Sequence, residues 1–84
     1  MPKYIDYHAK LPPLPPDAMK KFAEDMKAGK PNQFGVKPIN LLVGKNGDGY
    51  CLCEAPNADA VVKSHDAIGA KINKNDIREV TALV

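Results

Sequence analysis

Long apolar runs, tryptophan, hydroxyl side chains and cysteine are all scarce in this 84-residue chain. No stretch of 18 apolar residues occurs, which excludes a transmembrane helix. The opening Met1-Pro2-Lys3-Tyr4-Ile5-Asp6 has no apolar stretch followed by a cleavage site. No secretory signal is therefore expected, and the cytoplasm is the expected compartment. Two cysteines, Cys51 and Cys53, cannot build a secreted disulfide framework. Two positions apart on a strand, their Cα atoms would stand about 6.6–6.8 Å apart, the outer limit for a bridge, so reduced thiols are expected. Ser64, Thr81 and three tyrosines are the whole hydroxyl inventory, and no nucleophile–base–acid series has a recognisable spacing. No five-residue basic block appears, and the net charge is only +2. A nucleic-acid partner is therefore not expected.

The remaining composition is that of a folded domain, with 44% hydrophobic and 26% charged residues. One domain spanning residues 1–84 is expected. A chain of this size hides roughly 60–65% of its unfolded surface. That thin core favours self-association, and a homodimer is expected.

Tyr4, Asp6 and His8 alternate with Ile5 and Tyr7, so Lys3–His8 reads as a strand. Pro12, Pro13, Pro15 and Pro16 then stop it. A proline in a first helical turn loses no hydrogen bond, so Pro16 opens a helix with Asp17 at the positive end of its dipole. Met19, Phe22, Ala23 and Met26 form an apolar stripe to Ala28, and Gly29 closes the helix. Phe34–Val43 reads as a second strand, with Pro38 marking an edge or a bulge. Gly44–Gly49 is a turn, and Tyr50–Glu54 completes a hairpin. Asn57 precedes a helix whose face carries Ala58, Val61, Val62, His65 and Ile68, with Gly69 at its end. Ile77–Leu83 closes the chain as a strand.

The order β-α-β-β-α-β defines the ferredoxin-like plan, an α+β fold with two helices on one face of a four-stranded sheet. The expected sheet is antiparallel-mixed, with the first and third strands as parallel central neighbours. Ile5 and Tyr7 are the expected core side of the first strand. Cys51 and Cys53 suit the helix-covered face, since a free cysteine packs as a small hydrophobe.

That assignment leaves Asp6, His8, Glu54 and Glu79 as a candidate imidazole–carboxylate group on the uncovered face. Imidazole with carboxylate oxygens suits nickel, zinc, cobalt or iron, and buried carboxylates need a metal, a proton or a ligand. Solvated polar residues on an open sheet are the plainer alternative. His65 would lie on the opposite side of the sheet from His8, as a satisfied boundary histidine or a ligand in a separate or intersubunit site. Cys51-Leu52-Cys53 lacks the C-x₂₋₄-C spacing of structural zinc sites. Pro12-Pro13-Leu14-Pro15 matches a PxxP pattern, with a rigid connection as the plainer alternative.

Tyr50-Cys51-Leu52-Cys53-Glu54-Ala55-Pro56-Asn57-Ala58-Asp59-Ala60-Val61, then His65…Gly69 and Ile77-Arg78-Glu79-Val80, resemble a family of small bacterial and archaeal proteins. One branch of that family is described as nickel-responsive or nickel-binding. The likeness covers about the last 35 residues well and Lys3–His8 loosely. Many members carry a tryptophan in the second strand, which this chain lacks. The resemblance implies a ferredoxin-like dimer. Among its matched positions, His8, Glu54 and His65 offer ligand atoms. A homodimer binding a divalent transition metal, nickel first, is thus the expected function, with candidate ligands His8, Glu54, Asp6, Glu79 and His65. The alternative is a small-molecule binder or isomerase of the dimeric α/β-barrel kind, with His8 or Glu54 as general base.

Overall fold

Period-two patterning, proline placement and glycine caps shape the strands and helices of the chain. A computed structural model describes residues 1–11 and 15–83. The strands are β1 (Lys3–His8), β2 (Lys37–Val43), β3 (Gly49–Glu54) and β4 (Ile77–Val80), and the helices are α1 (Pro16–Ala28) and α2 (Ala58–Ala67). The PxxP segment falls largely on residues 12–14, outside the described residues. Pro16 stands at the start of α1, with Asp17 in its first turn. Gly29 ends it at φ 66°, a left-handed conformation that costs glycine little. The Asn57 side chain accepts a 2.8 Å bond from the Ala60 N–H, satisfying one of the unpaired donors at the start of α2. A single 3-10 turn, Lys74–Asp76, leads into β4 and has no forerunner in the sequence pattern.

The sheet order is β2-β3-β1-β4, the ferredoxin-like arrangement. β1 and β3 are central neighbours, but they run antiparallel, not parallel. Chain direction dictates this. The α1 crossover returns β2 parallel to β1, and the tight β2–β3 turn reverses the chain again, so β3 opposes β1. Every hydrogen-bonded pair in the sheet is antiparallel. The expected parallel pairing of the first and third strands is therefore corrected to an antiparallel one. β2 begins at Lys37, not Phe34, and β4 ends at Val80, not Leu83.

The faces of β1 are also the reverse of the expected ones. Tyr4 and Asp6 point toward the helices, 8% and 1% exposed, while Tyr7 is exposed on the open side. The expectation for β3 holds: Cys51 and Cys53 are buried. The core gathers Tyr4, Val36, Cys53, Ala55, Ala60 and Val61 beneath α2, with Phe34 and Ile77 packed against it. α1 behaves differently. None of its residues is buried, and it contacts mainly β2. A cavity of about 550 Å³ stands between α1, the sheet and the last turn of α2. No helix among the described residues is long and apolar enough to cross a membrane.

Candidate metal centre

Three elements converge where the core meets this cavity. Asp6 and His8 lie two apart on β1, so both point to the helix side. Cys51 is the cross-strand partner of Asp6 on β3. His65, in the last turn of α2, comes down over them. The His8 Nε2 is 2.6 Å from Asp6 Oδ1, and the His65 Nε2 is 3.4 Å from the same oxygen. The two imidazoles stack with centroids 5.0 Å apart. One donor atom each from Asp6, Cys51 and His65 lie within 4.8 Å of one another. A metal bonding at about 2.0–2.3 Å would draw these atoms slightly closer.

The orientation of His65 is fixed by its other nitrogen. Nδ1 lies 2.8 Å from the Val61 carbonyl, one helical turn earlier. A carbonyl only accepts, so Nδ1 carries the proton and Nε2 faces Asp6. In a neutral ring that Nε2 would present a lone pair to a carboxylate oxygen. Either a proton or a cation must therefore stand between them. This is the arrangement of metal-ligating histidines, whose second nitrogen is held by a carbonyl or carboxylate.

Burial is the largest influence on each group and opposes its charge. For Asp6 it is outweighed by hydrogen bonding and charge from His65 and His8, which hold the carboxyl below its ordinary value. For His65 it is outweighed by Asp6, Cys51 and the Val61 carbonyl, which push the imidazole up to about 10. Burial pushes the Cys51 thiol up and, with the Asp6 charge, the Cys53 thiol up to about 12. The metal-free site thus holds an imidazolium, a carboxylate and a thiol. Even so, Oδ1 is met only by the two imidazoles, and Oδ2 has no partner. A buried carboxylate in that state is costly.

Two expected members of the site are elsewhere. Glu54 pairs in register with Lys3, at the opposite end of β1 from His8, and its carboxylate lies 3.9 Å from the Lys3 ammonium. The parallel alignment that placed Glu54 beside His8 does not exist. Glu79 is opposite Tyr4, exposed at an edge strand. His65, in contrast, covers the same face as His8 and needs no path through the sheet. Sequence alone points Cys51 toward core packing. Its role as a donor depends on the Asp6–Cys51 register, which a short-range ligand spacing cannot reveal.

The fold and cluster define a ferredoxin-like α+β protein with a buried Asp/His/Cys group on its helix-covered face. The crystal structure of SCO4226 from Streptomyces coelicolor A3(2) shares that fold. It matches with a TM-score of 0.68 and 24% identity, over 98% of this chain and 99% of that one. Such a likeness carries the fold alone. No family model matches the chain, and no curated protein does.

Proposed function

We propose that this protein binds a divalent transition metal, nickel first, through Asp6, Cys51 and His65, and that it works as a homodimer. The observation that carries the metal reading is the buried Asp6 carboxylate, its Oδ2 without a partner, clustered with an imidazole nitrogen and a thiol within 4.8 Å of one another. A carboxylate, an imidazole and a thiolate suit nickel, zinc and cobalt better than calcium or magnesium. Nickel is put first because Tyr50–Val61, His65…Gly69 and Ile77–Val80 resemble a family one branch of which is described as nickel-responsive or nickel-binding. His8 supports the site by holding Asp6 Oδ1, with its Nε2 2.6 Å away. Calorimetric titration of the tag-free, chelator-stripped protein with nickel, zinc and cobalt is the test. One metal per chain is expected at micromolar affinity or better. Heat changes no larger than those of buffer for all three metals would end this reading.

The dimer is supported by the open face of the sheet. Tyr7 and Tyr50 pack there at 5.0 Å, both exposed, beside Leu42 at 56% exposure. Covering such a patch is a common reason for association. Sedimentation at micromolar protein is expected to give twice the chain mass. Tyr50→Lys, which places charge in the patch, is expected to give the monomer. A monomeric wild type would remove the dimer from the proposal without touching the metal site.

A further inference from the structure

The 550 Å³ cavity and the Asp/His/Cys group share a wall. His8, Cys51 and His65 line the cavity, whereas Asp6 lies behind them. A metal drawn between Asp6 and the two other donors would sit in the cavity floor. Its protein donors would be on the sheet and α2 sides, and its remaining positions would face the cavity. Three protein ligands with an accessible further position is the pattern of sites that bind exogenous molecules, in contrast to closed structural sites.

The cavity's own surface is selective. Leu11, Phe22, Phe34, Pro38, Leu41 and Ile68 supply much of it. Its size lies within the range of small-molecule sites, about 300–1,000 Å³. Two of its polar groups are already committed to each other, since the Asn32 amide donates to the Ser64 hydroxyl at 2.6 Å. That bond ties the α1–β2 connection to α2 across the cavity. The Lys21 ammonium is 3.3 Å from the Asp25 carboxylate. An entering molecule would meet mostly apolar walls, with Lys30 and Gln33 among the polar lining, and a bound metal would offer it open coordination positions.

We propose that the cavity takes a small organic molecule with an apolar body and an oxygen-donor head that coordinates the metal held by Asp6, Cys51 and His65. This rests on the metal reading above and adds the class of ligand. The apolar body gains by leaving water for the cavity walls, and the head supplies the donors that three residues leave over.

The full chain loaded with cobalt(II), whose visible spectrum reports changes in coordination, provides the test. Benzohydroxamate, with an aromatic body and two chelating oxygens, is the probe, and benzamide is the control. Benzohydroxamate is expected to change the cobalt spectrum and to bind the loaded protein at least tenfold more tightly than the metal-free protein. Benzamide is expected to show no such preference. Ala67→Trp would fill the cavity from the end of α2, and Phe22→Ala would remove part of its α1 wall. Both are expected to retain cobalt affinity while weakening benzohydroxamate at least fivefold. Cobalt binding with a spectrum indifferent to benzohydroxamate would overturn the ligand proposal and leave the metal reading intact. The same holds if both variants bind benzohydroxamate like wild type, because the head would then reach the metal by another route. Failure to bind cobalt at all would remove both.

Discussion

Asp6→Asn is expected to weaken nickel, zinc and cobalt binding at least 100-fold in calorimetric titrations. The replacement keeps the shape of the side chain but removes its charge. A neutral amide is a poor partner for a divalent ion. His65→Gln and Cys51→Ser are expected to cost similar amounts, since each removes a donor. His8→Ala should cost less, about 10–100-fold, the usual effect of losing a group that holds a ligand. Glu54→Gln and Glu79→Gln should leave affinity unchanged. Without metal, Asp6→Ala is expected to destabilise the fold by about 3 kcal/mol in urea, because it breaks a buried ion pair and leaves His65 either to give up its proton or to stay charged without a partner. Wild-type metal affinity in Asp6→Asn would show that the ion sits elsewhere.

Metal-free protein is expected to be most stable between about pH 4 and 6.5 and to lose stability as the pH rises toward 10. His65 binds its proton more tightly folded, up to about 10, than unfolded, where a histidine titrates near 6.5. Its contribution is therefore complete below about 6.5 and is lost as pH climbs through the folded value. Asp6 has the opposite sign. Its carboxyl is held below the ordinary value, so its contribution is present above the unfolded value and disappears as pH falls through the folded one. Urea unfolding with chelator across pH 4–10 measures both limbs. In Asp6→Asn the alkaline decline should largely vanish, because the groups raising His65 lose their principal member. A decline of equal size in that variant would assign it to other residues. Metal binding should respond in the other direction. It displaces protons from the His65 imidazole and the Cys51 thiol, so affinity should rise with pH over the same range.

Much of the fold was legible because its punctuation is chemical and local. Pro16 and Gly29 bound α1, Asn57 and Gly69 frame α2, and the Gly44–Gly49 run turns the hairpin. The candidate site was only half legible. Alternation in Lys3–His8 placed Tyr4, Asp6 and His8 on one face, which is correct, but alternation does not say which face the helices cover. Ile5 and Tyr7 are the more apolar set, and ordinary burial preference puts them inside. The chain instead buries a carboxylate and leaves a tyrosine outside. Local rules tend to fail in this way at functional sites. The error over Glu54 was of another kind. A hairpin after a parallel crossover already implies antiparallel central strands, and counting directions would have moved Glu54 to the far end. The pairing of Cys51 with Asp6 required register between strands more than forty residues apart, and no local pattern encodes it.

The irregularity at Pro38 has a consequence for how copies of this chain can meet. β2 is an edge strand, and its register shifts between Pro38 and Asn40. Proline brings no N–H, and a bulge twists the strand away from a neighbour. The other edge, β4, is only four residues long. Both margins are thus poor templates for a fifth strand, despite Leu42 and Val43 standing exposed near the end of β2. Growth of the sheet by strand addition, the route to open-ended assemblies, is blocked on either side. The broad open face is the surface on which the proposed dimer would form, and a contact between two like faces would close on itself after one pair.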